Sequence, residues 1–180
     1  MTSFYNKVLL STPLVKDSFF HQSLVLIIKE VENSHIGLII NKTINETSKD
    51  IWSQINPELE FKEKPLKLGG PIQNSIILAH KLKKYSDYET LPNLYLSIEK
   101  NNIQKVLKNT SNYQMFLGYS LWLPDQLNHE MYKRGLWRVV NFEEKMVLKN
   151  NYDLWHKEKN KLSEDYIKKL GLVKQNFSMN

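Results

Sequence analysis

The chain has 180 residues, 41% of them apolar, no cysteine and a formal net charge of +6. That size and apolar fraction fit one domain with its own core. The missing cysteine excludes disulfides, thiolate chemistry and cysteine-ligated metal sites.

In chain order, Leu9–Ser11 is the first short strand, edged by Pro13. Val15–Ser18 reads as a turn into Phe19 and Phe20. Ser23–Lys29 is branched, apolar and short, the pattern of a buried strand. A polar connection from Glu30 to His35 leads to a second strand, Ile36–Lys42, and the pair reads as a hairpin. Thr43–Asn45 leaves the strand, and Thr47–Asn56 carries a partial helical stripe of Ile51, Trp52 and Ile55. Leu66–Leu68 is a short strand that runs into Gly69-Gly70-Pro71. That triplet is punctuation: glycine permits a positive φ or a close backbone approach, and Pro71 stops simple continuation.

Ser75–His80 and Leu94–Ser97 read as strands, with a loop over Tyr85–Thr90 between them. From Ile98 to Lys108 the apolar residues Ile103, Val106 and Leu107 share one helical face. Gln114–Ser120 is the next strand. Pro124 opens a helical turn, with Leu127 and Met131 facing inward, and Gly135 closes it. Arg138–Asn141 is a strand, residues 151–156 and Ser163–Lys169 are helical, and Gly171 stops the last helix. Hairpins mixed with crossovers favour an α+β fold. The expected organisation is a single domain over residues 1–173 with a flexible tail at 174–180. Its expected core holds Leu26, Ile28, Leu38, Ile40, Leu78, Leu96, Phe116 and Trp122. The start lacks a signal-peptide pattern, and the apolar runs are too short to span a bilayer, so a cytoplasmic protein without membrane contact is expected.

Four ordered segments together resemble one family. They are Leu9–Phe20, continuing through Ser23–Leu26 into Gly37–Lys42; Gly69-Gly70-Pro71-Ile72-Gln73 with His80; Leu117–Leu127; and Leu136-Trp137 followed by Leu154-Trp155 and Leu170-Gly171. This order is similar to that of the YqgE/AlgH family, an uncharacterised family with a proposed transcriptional-regulator label. The resemblance covers roughly residues 8 to 172. It implies an α+β fold with a bent, mixed, mainly antiparallel, partly barrel-like sheet flanked by helices. The chain departs from the family's usual pattern at Ser18, Gln22, Lys42-Thr43, Leu121 and Asp125. Lys42 keeps a charge where arginine is common but lacks arginine's two-pronged donor geometry.

His80 is the one histidine placed to act as a base near neutral pH, yet no nucleophile or acid lies close in sequence. His21, His35, His129 and His156 are scattered, and no His-Glu-x-x-His spacing occurs, so no metal site and no cofactor are expected. Ser11, Thr12, Asp17, Ser23 and Ser120 invite a hydrolase reading, but no Gly-x-Ser-x-Gly segment exists, and no catalytic residue is assigned. Lys81, Lys83 and Lys84 form one basic run, and Lys133, Arg134 and Arg138 another. Neither accompanies a recognition-helix pair, so nucleic acid is not expected to be bound sequence-specifically. Residues at strand ends give a candidate binding cleft of Asn41, Lys42, Gly69, Gly70, His80, Tyr119 and Trp122. The expected function is a noncatalytic cytosolic regulatory or partner-binding domain, with a protein or small-molecule partner. The alternatives are a small-molecule enzyme with a histidine-assisted cleft, and a transcriptional regulator or weak nucleic-acid binder.

Overall fold

The computed structural model of the protein describes residues 3–149 and 153–170. Its strands are β1 (Val8–Ser11), β2 (Leu24–Val31), β3 (Ser34–Ile39), β4 (Thr43–Thr47), β5 (Pro65–Leu68), β6 (Ile72–His80), β7 (Tyr88–Glu89), β8 (Tyr95–Ser97), β9 (Tyr113–Trp122) and β10 (Trp137–Val140). The helices are α1 (Ser48–Trp52), α2 (Lys100–Asn109), α3 (Gln126–Asn128, continued by a π turn over His129–Lys133) and α4 (Leu154–Lys169).

The sheet runs β10-β1-β2-β3-β9-β6-β8-β7, and β5 joins it by pairing in parallel with β9 and antiparallel with β4. The fold is therefore α+β, with a curled, mixed, mainly antiparallel half-barrel sheet flanked by helices. The β2–β3 hairpin turns on Glu32 and Asn33, whose φ angles of 49° and 63° give the left-handed two-residue turn that matches strand twist. This tight turn lets both strands extend through what the sequence presents as a polar connection.

Strand β2 is apolar on every residue from Leu24 to Ile28 because both of its faces are covered. Leu24, Leu26 and Ile28 join one cluster with Leu38, Ile40, Ile77, Leu96, Phe116 and the start of α4. Val25 and Ile27 join a second with Phe4, Trp122, Leu127, Met131 and Trp137. A third cluster seats α2 through Ile103, Val106 and Leu107 against Leu78, Tyr113 and Met115, beside Trp52 and Leu66. All eight residues expected in the core are buried.

Four segments differ from the sequence expectation. Thr43–Asn45 stays extended as part of β4, because β5 supplies a pairing partner. The expected loop over Tyr85–Thr90 contains the two-residue β7, held by β8. Tyr132, which the helical spacing after Pro124 also turns inward with Leu127 and Met131, points outward instead, 62% exposed. Residues 154–169 form one continuous helix instead of two. Gly171 and the expected tail at 174–180 lie outside the described residues.

The Gly69-Gly70 step is a close approach of backbones. Neither residue has a positive φ; the left-handed glycines are Gly118, at 75°, and Gly135, at 65°. A Cβ on Gly69 would strike the Gly118 carbonyl oxygen, and one on Gly70 would strike the Tyr119 backbone. The segment threads between β3 and β9, taking the Ile39 N–H on the Gly69 carbonyl and giving the Gly69 N–H to Leu117. Gly69→Ala and Gly70→Ala should each destabilise by about 1–3 kcal/mol, because backbone must move to admit the methyl. Urea unfolding checks this, and losses below about 0.5 kcal/mol at both positions would show that the strands separate freely.

Candidate binding site

The seven residues of the expected cleft do not share one concavity. Asn41 and Lys42 hold the loop before β2. The Asn41 side chain accepts from the Leu24 N–H at 2.7 Å and donates to the Gln22 carbonyl at 2.9 Å. The Lys42 ammonium donates to the carbonyls of Ser18 and Phe19, at 2.9 and 2.7 Å. Burial lowers the Lys42 pKa, and Asp17 partly opposes this. Gly69 and Gly70 pack against Gly118 and Tyr119. Tyr119 and Trp122 belong to opposite faces of β9, Tyr119 beside the half-barrel core and Trp122 in the second cluster. His80 faces Tyr113, six positions from Tyr119 along β9, which is roughly 20 Å at ~3.3 Å per residue.

His80 is fully buried, and both of its ring nitrogens are engaged. Nδ1 accepts the Leu82 N–H at 3.1 Å, so Nε2 carries the proton and donates to Ser97 Oγ at 2.7 Å. Ser97 in turn donates to the Tyr85 carbonyl at 2.6 Å. The imidazole thus ties three chain segments together and has no lone pair left for a substrate proton. Burial pushes its pKa down to about 4, against the raising effect of Asp87. Between pH 6.5 and 4 the unfolded chain therefore binds the proton that the folded protein excludes. Stability is full above pH 6.5 and should be about 3 kcal/mol lower by pH 4. Urea midpoints across this range should show the fall, and His80→Gln should lessen its slope; an unchanged slope would assign the effect to other groups.

Lys67, Ser11 and Ser23 are also used internally, whereas the buried His35 has no partner for Nδ1 among the described residues. Lys67 donates to the carbonyls of Val147 and Lys149, both at 3.0 Å. Burial first, and Lys64 second, lower its pKa to about 7. Ser11 Oγ accepts the Ser23 N–H, and Ser23 Oγ donates to the Phe19 carbonyl. Among the described residues no group of three or more histidine, aspartate or glutamate side chains gathers to hold a metal. No helix among them is long and apolar enough to cross a membrane. The basic run at Lys81 is part-neutralised by Glu144, 3.0 Å away.

Two adjoining, mainly apolar hollows lie around the amino-terminal half of β6. A hollow of about 550 Å³ is walled by Ile51, Trp52, Ile55, Ile76, Ile103 and Leu117, with Gln54, Gln73, Asn74 and Lys100 along its exposed rim. A second hollow, of about 210 Å³, lies between Ile28, Ile36, Ile77, Leu96 and Tyr119, with Lys29 and Tyr88 at its mouth. Ser75 and Ile98 line both. The Lys29 ammonium sits 5.1 Å from the centre of the Tyr88 ring. Trp52 is 1% exposed, and its indole N–H has no acceptor among the described residues. The sequence reading named Tyr119 but missed the rest of this surface. Its sequence signal was the partial stripe of Ile51, Trp52 and Ile55 and the isoleucines of β6, which equally describe a core.

Comparison with known proteins agrees with the fold. Residues 8–167 match the AlgH-like family, DUF179. A UPF0301 protein of Parabacteroides distasonis is 30% identical over 88% of this chain and 83% of its own length. One of Bacteroides thetaiotaomicron is 33% identical over 89% and 83%. The solution structure of the AlgH protein from Pseudomonas aeruginosa superposes with a TM-score of 0.67 at 19% identity, covering 96% of this chain and 93% of that one. A crystal structure from Corynebacterium diphtheriae gives 0.68 at 20%, over 87% and 86%. Matched by the family over nearly its whole length, and by relatives of 30% and 33% identity, the chain belongs to the AlgH-like family.

Proposed function

We propose that the chain is a noncatalytic cytosolic binding domain whose contact face is the pair of hollows beside β6. The observation that carries this reading is a division of labour. Side chains suited to acid–base or nucleophilic chemistry, His80, Ser97, Lys67, Ser11 and Ser23, are buried and committed to internal hydrogen bonds. The exposed concavity is walled instead by isoleucine, leucine and aromatic side chains. Adjoining apolar hollows of this kind mark contact sites.

The test is binding of anilinonaphthalene sulfonate, an apolar anionic fluorophore, to the protein and to the double variant Ile55→Gln, Ile98→Gln. Both positions are 38% exposed, so the fold should tolerate the change. The wild type should enhance the dye's fluorescence, and the variant should lose most of that signal while melting at the same temperature. Equal signals from both proteins would place the apolar surface elsewhere.

A further inference from the structure

Strand β6 is paired along only part of the edge that faces β8. Leu78, Ala79 and His80 pair there with Ser97, Leu96 and Tyr95. In this register the next residues, Ile98 and Glu99, would extend the ladder toward Ile77 and Ile76. They do not: Asp87 Oδ2 accepts at 2.9 Å from the Glu99 N–H, the group that would face Ile76, and at 2.6 Å from the Ile98 N–H, which points away from β6 as the Leu96 backbone does. Its other oxygen accepts from Asn102 at 2.6 Å. Asp87 thus anchors the entry to α2 and engages the Glu99 N–H that would otherwise face β6.

Ile76 is left with a backbone face toward the open edge. The carbonyl of its partner Leu117 accepts from Gly69, so it points away from β6, and Ile76–Leu117 is a pair without mutual hydrogen bonds. The N–H and C=O of Ile76 therefore point to the β8 side, where no strand among the described residues pairs with them. A register shift between Ile72 and Ile76 turns the strand at the same place. The two hollows flank this edge, the larger on the Asn74 and Ile76 side and the smaller on the Ile77 side. Among the described residues, the charged side chains lining them are Lys100 in the first and Lys29 in the second. Trp52, whose buried indole N–H has no acceptor among the described residues, lines the larger one.

We infer that this edge takes an extended peptide segment of a partner protein, added as a strand beside Ile76, with alternate apolar side chains in the two hollows and carboxylates toward Lys29 and Lys100. An added strand presents successive side chains to opposite faces, which is the arrangement of the hollows. The inference rests on the reading of the hollows as the contact face and specifies their occupant.

The probe is a blocked octapeptide that alternates isoleucine with threonine and carries glutamate at both ends. It is titrated into ¹⁵N-labelled protein alongside three controls: the same peptide with alternate backbone nitrogens methylated, a version with lysine at the ends, and dodecanoate. The inference expects amide shifts centred on Ile76 and Ile98, with affinity lost by about tenfold or more on N-methylation because ladder bonds are removed. The paired substitution Lys29→Glu, Lys100→Glu should weaken the acidic peptide and strengthen the basic one. Equal binding of the N-methylated peptide would overturn strand addition. So would concentration-dependent shifts of the same amides without peptide, which would make a second copy the occupant. Binding of dodecanoate but not peptide would overturn the peptide and leave the contact face standing. No shift at the hollows with any probe would remove both.

Discussion

Replacing Glu130 with alanine should destabilise the protein by about 3–5 kcal/mol, among the largest effects expected of any single polar substitution. The indole N–H groups of Trp122 and Trp137 both donate to its Oε2, at 3.0 and 2.8 Å, and Gln126 donates to Oε1 at 2.9 Å. The two indoles meet edge to face, with ring centres 5.9 Å apart, and Phe20 packs against both. Trp122 ends β9, Trp137 begins β10, and Glu130 sits on the π turn after α3. One carboxylate therefore fixes three elements. Alanine leaves two donors unpaired, on side chains only 2% and 1% exposed, at about 1–3 kcal/mol each, and opens a gap between the rings. Glu130→Gln keeps an accepting oxygen but loses the charge and turns its amide toward Gln126, so about 1–2 kcal/mol is expected. Adding Trp122→Phe to Glu130→Ala should cost less than the separate losses together, since the donor is already orphaned. Denaturant unfolding of the set decides the matter, and a loss below about 1 kcal/mol for Glu130→Ala would mean water replaces the carboxylate easily.

Truncation of the core should have a comparable effect. Leu38→Ala removes a fully buried side chain from the half-barrel cluster, and Leu78→Ala removes one from the cluster beneath α2. Each should cost about 2–5 kcal/mol, the transfer free energy of the lost methyl groups plus the cavity they leave. The two side chains lie in separate clusters, so their effects should add to within about 0.5 kcal/mol. A loss below about 0.5 kcal/mol at either position would contradict its place in the core.

The strands were legible where the sequence is continuously apolar. Leu24–Ile28 can only be buried on both faces, and the structure buries all five; of Ser75–His80 it buries Ile77–His80, while Ser75 and Ile76 line the hollows. The inward helical residues Ile103, Val106, Leu107, Leu127 and Met131 were legible for the same reason, since burial follows spacing. Long-range pairing was not legible. Nothing local says that Thr43 finds Lys67, or that β5 runs parallel to β9. The Gly69-Gly70 step announced a special backbone, but its cause is the approach of Gly118 and Tyr119, almost fifty residues away.

The site was less legible than the fold. His80 attracts attention as a titratable group, yet its role is set by Leu82, Ser97 and Tyr85, which only the folded chain brings to it. Lys42 and Asn41 proved to be loop clamps, because the carbonyls and N–H groups of residues 18–24 reach them first. Beside the hollows, Asp87 engages the Glu99 N–H that would otherwise face Ile76. A single carboxylate in a polar stretch gives no sign of that in the sequence. Both misplacements share one cause: spacing identifies which residues are buried, but not which buried polar groups are already satisfied.

The central claim is that the protein binds at the β6 hollows and keeps its reactive side chains internal. An amide shift map of ¹⁵N-labelled protein titrated with dodecanoate tests it most directly. Saturable shifts are expected at Ile55, Ile76, Ile98, Ile103 and Tyr119, with His80, Ser97 and Lys67 unmoved. Shifts centred on His80 and Ser97, or none at the hollows with either the fatty acid or the peptide, would contradict it.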